Sequence, residues 1–253
     1  MPNKLISLEI VRGVAAFTVA ITHYMIRIDS EPIYEFFAVV AVEIFFPLSG
    51  FVLAGQIFLV LRQRQMIGTF LVRRWMRTLP PYLVALIVIS IYLDKLVSYD
   101  FLQYLFFFRY INTLYEIGDY YPVAWSLAVE EWYYIAFPTF LLLMGCKSNK
   151  KISLIVTSIL FVAIFILLRT FYYESPDNSF LRIASFLRLD AICIGFLCFI
   201  LLGARKSSPM LIAILSLTLI LSLLLFLITS RSVFLLETSR FWLIILPIWF
   251  GLL

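Results

Sequence analysis

The sequence predicts an all-α fold, a polytopic membrane helix bundle with about eight transmembrane helices. Of its 253 residues, 63% are hydrophobic and only 14% are charged, whereas a soluble globular domain has an apolar share near half. Long apolar stretches recur along the chain, each near the length that an α-helix needs to cross a bilayer. Strand-like alternation is absent from them, and backbone exposed to lipid must satisfy its own hydrogen bonds. We therefore expect a single domain, residues 1–253, embedded in the lipid bilayer.

The predicted spans follow the apolar stretches in order. They cover residues 5–28, 36–61, 79–97, 122–145, 152–173, 180–202, 209–229 and 240–253. The first span follows Lys4 as a signal peptide would, but Glu9 and Arg12 interrupt it. Because no small-residue cleavage site follows, we interpret it as a retained helix. The last span is short, and we expect the chain to be incomplete at its C-terminus.

Charges in the predicted loops indicate which side of the membrane each loop faces. The loop after the second span is arginine-rich and has no acidic residue, and the loops after the fourth and sixth spans are also basic. The alternate loops are acidic or balanced. Under the positive-inside rule the N-terminus is cytoplasmic and the aromatic loop 99–121 is external, where it lies in the interface or re-enters the membrane. The net charge of +5 follows from these loops, so it implies no nucleic-acid partner.

The first span carries an unusual polar pair, Arg12 and the single histidine, His23. Their spacing comes to about three helical turns, which places both on one face, about 16 Å apart along the axis. Glu9 precedes Arg12 by three residues and can pair with it. Ionisable residues within a membrane are a functional-site hypothesis by default, so Arg12 and His23 are candidate catalytic residues. The competing interpretation places Glu9 and Arg12 among the lipid headgroups and His23 at the opposite interface.

The second span contains a carboxylate, a proline and a Ser-Gly pair, at Glu43, Pro47, Ser49 and Gly50. Pro47 removes a backbone hydrogen bond and Gly50 permits close helix approach, so the pattern predicts a kink that lines a cavity. Ser49 then presents its hydroxyl to that cavity, or else Ser49 and Gly50 only pack helices together. Without a base beside it, Ser49 is not interpreted as a nucleophile.

A cluster of arginines precedes the third span, at Arg73, Arg74 and Arg77, followed by Pro80 and Pro81. Positions 73 and 77 are one helical turn apart, so they form a phosphate-sized basic clamp just below the membrane. The proline pair is interpreted as the opening of the next span. The alternative is that these arginines only orient the chain, since positive charge is required here in any case.

The fourth span begins with Trp125 and Ser126, and Glu130 and Glu131 follow within it. Two carboxylates are costly in lipid, and they project about 100° apart on a helix, so they are not a shared-proton pair. We expect one of them to face a polar cavity. Aromatic side chains beside a carboxylate are typical of a sugar-binding surface, although an ordinary interfacial belt has the same composition.

The remaining ionisable and sulfur-bearing residues give weaker signals. Arg188 and Asp190 bring a guanidinium and a carboxylate into the sixth span, where an ion pair that stabilises the bundle is the simplest interpretation. Cys146, Cys193 and Cys198 show neither CxxC nor Cys/His spacing. We therefore expect no structural disulfide and no metal site.

These residues, taken in order, resemble the patterns of the membrane acyltransferase-3 family, bacterial integral-membrane enzymes that O-acylate cell-surface and exported glycans. The resemblance covers roughly residues 5–200 and departs from the family at Glu9 and Glu43, where Asp is usual. The matching patterns are Arg-Gly with a later His at Arg12, Gly13 and His23; Phe-Phe-x-Leu-Ser-Gly-Phe at Phe45–Phe51; Arg-Arg-x-x-Arg-x-x-Pro at Arg73, Arg74, Arg77 and Pro80; Trp-Ser-Leu-x-x-Glu-x-x-Tyr at Trp125, Ser126, Leu127, Glu130 and Tyr133; and Arg-x-Asp before a Gly at Arg188, Asp190 and Gly195.

The resemblance implies an acyltransferase for groups other than aminoacyl groups. It implies an O-acetyltransferase that moves acetyl from acetyl-CoA, or another acyl group from its CoA ester, to a hydroxyl of a carbohydrate or glycan. Acyl-CoA is then a donor substrate and no cofactor is bound. The resemblance also implies a multi-pass protein of the bacterial inner membrane.

The chemistry of the candidate residues suggests a role for each of them in that reaction. His23 is the general base, and Arg12 holds the donor phosphates or orients the thioester. Arg73, Arg74 and Arg77 bind the nucleotide end of the donor, and Glu130 orients the acceptor or His23. The residues expected to line or support the cavity are Glu9, Glu43, Ser49, Trp125, Ser126, Arg188 and Asp190.

Two other classes of function stay open at this point. The first is a transporter or flippase of lipid-linked sugars, which uses the same intramembrane charges as a polar pathway and consumes no acyl-CoA. The second is an inactive, truncated member that acts only as a membrane partner, because the family usually has about ten spans and this chain ends in the eighth.

Overall fold

The computed structural model describes residues 2–29, 32–109, 120–121, 123–171 and 185–202. Every regular element in these ranges is helical, which confirms the all-α fold. The helices are α1 (Pro2–Ile28), α2 (Pro32–Arg62), α3 (Met66–Tyr92), α4 (Tyr99–Leu105), α5 (Ala124–Leu143), α6 (Lys151–Phe171) and α7 (Leu189–Leu202), and a 3₁₀ turn (Ser185–Arg188) precedes α7. The predicted spans 209–229 and 240–253 lie outside the described residues, as does the first part of the predicted span 180–202.

Three helices of the described part of the chain are long and apolar enough to cross a membrane. They comprise Val40–Arg62 within α2, the whole of α3, and Lys151–Arg169 within α6. Helices of this length and composition indicate a membrane protein. The larger number of spans stays a prediction.

Helix α3 corrects two predicted boundaries. We expected a loop that carried the arginine cluster and a span over 79–97, but α3 begins at Met66 and ends at Tyr92. The arginines therefore lie on the helix itself, and Pro80 and Pro81 lie inside it. A proline removes one backbone donor without ending a membrane helix, because local adjustments and neighbouring groups satisfy the freed carbonyl.

A similar correction applies to the predicted span 180–202. Its last α-helical part begins at Leu189, and the four residues before it form the 3₁₀ turn. Arg188 therefore belongs to that turn, whereas Asp190 lies in the first turn of α7. An acidic residue there favours the helix, since it faces the positive end of the helix dipole.

The helices divide between two compact units, each described by itself. The first unit comprises α1, α2 as far as Ala54, and α7 from Asp190; the second comprises the rest of α2, α3 to α6 and the 3₁₀ turn.

In the first unit, α2 and α7 cross with their backbones in contact. A Cβ added to Gly50 would overlap the carbonyl oxygen of Ile192 and lie 3.1 Å from the backbone nitrogen of Phe196. A Cβ added to Gly195 would overlap the carbonyl oxygen of Pro47. This reciprocal contact confirms the expectation that Gly50 permits close helix approach, as small residues do between membrane helices.

In the second unit, α5 is the central helix and packs against α6 and the 3₁₀ turn. Aromatic rings fill the contact with α6, where the rings of Phe137 and Phe161 meet edge to face at 5.0 Å. The buried Arg169, near the end of α6, donates from Nη1 to the carbonyl of Leu187 at 3.0 Å. Arg169 thus holds the turn that carries Arg188.

Helix α4 lies in the segment that we predicted as an aromatic external loop. The hydroxyl of Ser98 caps its first turn by accepting the N–H of Phe101 at 3.1 Å. The buried Arg109 donates from Nη1 to Asp100 at 3.1 Å and to Gln103 at 3.2 Å. The described part of this segment is therefore a folded element.

Aromatic stacking attaches this segment to α3. The ring of Tyr82 stacks on Phe107 at 5.0 Å and on Tyr121 at 5.7 Å, and its hydroxyl donates to the carbonyl of Tyr104 at 2.8 Å. Phe107 has a left-handed φ of 59°, and its carbonyl accepts the indole N–H of Trp132 at 3.1 Å. Burial raises the pKa of Tyr121, so its phenol remains neutral at physiological pH.

Candidate functional site

The side chain of His23 is half-buried on α1, with its ring orientation fixed by a backbone contact. Its Nδ1 lies 3.0 Å from the carbonyl oxygen of Val19, one turn earlier. A carbonyl only accepts, so Nδ1 carries the hydrogen and donates it. In the neutral imidazole the lone pair is therefore on Nε2. That tautomer is the one that a general base at Nε2 requires.

Arg12 lies on the same uninterrupted helix as His23 and contacts α2. Its guanidinium carbon lies 5.1 Å from the centre of the Phe45 ring, a distance typical of a cation–π contact. The contact joins the Arg-Gly pattern to the Phe-Phe pattern, because Phe45 is the first residue of the latter. The side chain of Glu9, the expected partner of Arg12, lies outside the described part of the structure.

Two polar residues of α2, Glu43 and Ser49, are buried. Glu43 is 1% exposed and Ser49 is 2% exposed. Ser49 is directly followed by Gly50, whose backbone contacts α7. The Ser-Gly pair therefore lies at a helix crossing, which fits the packing interpretation of Gly50 and leaves a role for the Ser49 hydroxyl untested.

The arginines of α3 divide between two sides of the helix. Arg73 and Arg77, one turn apart, are both exposed. Arg74 is half-buried, and its guanidinium carbon lies 6.0 Å from the centre of the Tyr134 ring on α5. The exposed pair is thus the part of the cluster available to a phosphorylated ligand, whereas Arg74 points to α5.

Both adjacent carboxylates of α5 are buried, each with its own partner. Glu130 accepts a 2.5 Å hydrogen bond from the hydroxyl of Tyr134, one turn later on the same helix. Glu131 accepts a 2.7 Å hydrogen bond from the hydroxyl of Thr78 on α3. We expected one of the two to face a polar cavity, and that stays a prediction; the structure shows a hydroxyl partner for each carboxylate. The hydrogen bond from Thr78 attaches α5 to the arginine-bearing part of α3.

The other predicted site residues are placed near helix ends. Trp125 is buried in the first turn of α5, and Ser126 beside it donates to the carbonyl of Val123 at 3.3 Å. Arg188 and Asp190 are both buried, on either side of the boundary between the 3₁₀ turn and α7. In the described part of the chain no group of three His, Cys, Asp or Glu side chains is close enough to hold a metal ion.

Comparison with known proteins settles the family. A family model described as an acyltransferase domain, of the acyltransferase-3 type, matches residues 5–253. The chain belongs to the acyltransferase-3 family. A Haemophilus influenzae protein described as uncharacterized is 29% identical over 179 residues, which cover 61% of this chain and 72% of that protein. No solved structure matches the chain. Membership indicates acyltransferase activity, and the apolar helices indicate action at a membrane.

The acyltransferase-3 patterns meet in pairs within each unit of the structure. Arg12 contacts Phe45 in the first unit, where Gly50 and Gly195 also mark one helix crossing. In the second unit, Arg74 and Glu130 share Tyr134 as a neighbour. The patterns therefore describe side chains that fold against one another.

Sequence reasoning missed three residues of this arrangement. Tyr134 had a detectable signal, because a tyrosine four residues after a glutamate on a helix is within hydrogen-bonding reach. Thr78 and Arg169 had none, since their partners, Glu131 and Leu187, are 53 and 18 residues away in the sequence. Only the folded chain shows these contacts.

Proposed function

We propose that this chain is an O-acyltransferase that moves an acyl group, most simply acetyl, from acyl-CoA to a hydroxyl of a cell-surface or exported carbohydrate. The observation that carries the proposal is the Nδ1 hydrogen bond of His23, which leaves the lone pair on Nε2. A sugar hydroxyl is a poor nucleophile at neutral pH, and a positioned base that removes its proton typically contributes about 10² to 10⁴ in rate.

The proposed reaction balances without a bound cofactor. Nε2 of His23 takes the hydroxyl proton while the sugar oxygen forms a bond to the thioester carbonyl carbon. The carbon–sulfur bond then breaks, and the thiolate of CoA takes the proton back from the imidazolium. The products are an O-acyl sugar and CoA with a free thiol. Transfer of label from acyl-CoA to glycan tests this reaction.

The arginines supply the donor site in this proposal. Arg73 and Arg77 are exposed on one side of α3, so they bind the phosphates of the nucleotide end. Arg74 adds positive charge beside them, and its guanidinium is held over the ring of Tyr134. Arg12 holds the donor phosphates or orients the thioester, and it is held in turn by its contact with Phe45.

The buried carboxylates and the remaining motif residues serve the acceptor side of the proposed site. Glu130 orients the acceptor, and its buried hydrogen bond with Tyr134 fixes its carboxylate. The residues proposed to line or support the cavity are Glu9, Glu43, Ser49, Trp125, Ser126, Arg188 and Asp190.

Alanine at Arg73 or Arg77 is expected to raise the apparent KM for acyl-CoA about tenfold, because each guanidinium makes a charge-assisted contact with phosphate. Steady-state transfer at varied acyl-CoA concentration measures the change. The matched control is Arg64→Ala, which removes an exposed arginine between α2 and α3 that belongs to no pattern. An unchanged KM in both variants would show that Arg73 and Arg77 do not bind the phosphates of acyl-CoA.

The same proposal places the chain in the bacterial inner membrane, with about eight spans and a cytoplasmic N-terminus. A cysteine at Arg64, between α2 and α3, is then expected to react with a membrane-impermeant thiol reagent only after the cells are opened. A cysteine at the exposed Val97, between α3 and α4, is expected to react in intact cells. The three native cysteines are buried and give a low background. Reversed labelling would invert the topology.

A further inference from the structure

We infer that Tyr134 is a positioning residue of the acyltransferase site, which acts on Glu130 through its hydroxyl and on Arg74 through its ring. The inference rests on the proposed function, since it assigns the two halves of one side chain to the acceptor and donor sides of that reaction. The family patterns given above do not include this tyrosine, and its spacing from Glu130 shows only that the two side chains can reach each other.

The hydroxyl half of the inference rests on a short buried hydrogen bond. Tyr134 is 2% exposed and Glu130 is 4% exposed, and the phenol donates to Oε2 of the carboxylate at 2.5 Å. This distance is at the short end of the range for O–H···O hydrogen bonds. One carboxylate oxygen is thereby fixed, which aims the other oxygen of Glu130 in one direction.

The ring half rests on the arrangement of α3 against α5. The guanidinium carbon of Arg74 lies 6.0 Å from the Tyr134 ring centre, while Phe70 meets the same ring edge to face at 6.1 Å and 81°. A guanidinium over an aromatic face is attracted to it, more strongly where water is excluded. Phe70 and Arg74 are one turn apart on α3, and both contact the Tyr134 ring. Together they fix the rotation of α3 about its own axis relative to α5.

The rotation of α3 matters because it decides where the exposed arginines point. Thr78 lies one turn beyond Arg74 and is bound to Glu131, so two successive turns of α3 are attached to α5. Arg73 and Arg77 are then held on the exposed side. Loss of the Tyr134 ring removes one of the two attachments and lets this segment turn, which weakens a site that needs both guanidinium groups on one ligand.

Two substitutions separate the halves, assayed in the 253-residue chain in membranes with acetyl-CoA as the probe. Tyr134→Phe removes only the hydroxyl, so the rate at saturating acetyl-CoA is expected to fall about tenfold while the KM for acetyl-CoA is unchanged. Tyr134→Leu also removes the ring, so its KM is expected to rise about tenfold in addition. Tyr92→Phe, at an 86% exposed tyrosine of α3, is the matched control and is expected to change neither constant.

The phenylalanine variant decides the inference even if the leucine variant does not fold. Unchanged turnover in Tyr134→Phe, or a fall in turnover together with a higher KM, overturns the assignment, because a purely structural tyrosine does not separate the two constants. Failure of the proposed function itself has a different result: the unaltered chain then transfers no label from acetyl-CoA.

Discussion

His23→Ala is expected to lower the rate of acyl transfer by about 10² to 10⁴-fold while acyl-CoA binding is retained. The imidazole is the only side chain on α1 that can take a proton from a sugar hydroxyl at neutral pH through a nitrogen lone pair. Its orientation depends on the 3.0 Å contact between Nδ1 and the carbonyl of Val19. Removal of the ring therefore removes the proposed base and leaves the arginines that are proposed to bind the donor in place.

Single-turnover transfer and equilibrium binding of labelled acyl-CoA measure the two quantities separately. His23→Gln is an informative companion, since its polar amide replaces the imidazole but supplies no basic nitrogen; its rate is expected to fall as far as that of the alanine variant. Thr18→Ala, which removes a hydroxyl bound to the carbonyl of Val14 on the same helix, is the control and is expected to retain the rate. Full transfer activity in His23→Gln would refute the general-base assignment.

Alanine at Gly50 or Gly195 is expected to destabilise the protein by about 3 kcal/mol, the upper part of the range for overpacking. In each case the new Cβ would overlap a backbone carbonyl oxygen, of Ile192 or of Pro47. A flexible side chain could move aside, whereas a helix backbone cannot move without shifting the whole crossing of α2 and α7. Core packing leaves no void to absorb that shift.

Thermal unfolding in detergent, followed by size-exclusion chromatography, measures the effect. Gly55→Ala is the matched control on α2, because a Cβ added there has nothing within 4 Å, and Gly13→Ala is the equivalent on α1. Both controls are expected to unfold at the temperature of the unaltered chain or slightly above it, since alanine favours a helix over glycine. A normal midpoint for Gly50→Ala would contradict the observed crossing.

The membrane class and the close approach at Gly50 were predictable because both are local properties of sequence. Apolar stretches report burial in lipid directly, and a glycine in mid-span has few other uses. Its partner, Gly195, was not predictable, since helical periodicity identifies a face of a helix but not the helix that packs on it. The reciprocal contact appears only when α2 and α7 are seen together.

The arginine cluster shows where local rules mislead. Pro80 and Pro81 favour the start of a helix in an isolated peptide, so the sequence predicted a loop before them. In the structure α3 runs through both prolines, and this divides the cluster into an exposed pair and the half-buried Arg74. The spacing alone paired Arg73 with Arg77, but it did not show that Arg74 contacts Tyr134 on α5.

Acyl transfer itself tests the central claim most directly. Membranes that contain this chain are supplied with acetyl-CoA labelled in the acetyl group, and the envelope glycan is then examined for label. The account predicts label in the glycan that is released by mild alkali, as an O-acetyl ester is, and no such label with the His23→Gln variant. Movement of lipid-linked sugar across the membrane without consumption of acetyl-CoA would contradict the account and indicate a transporter.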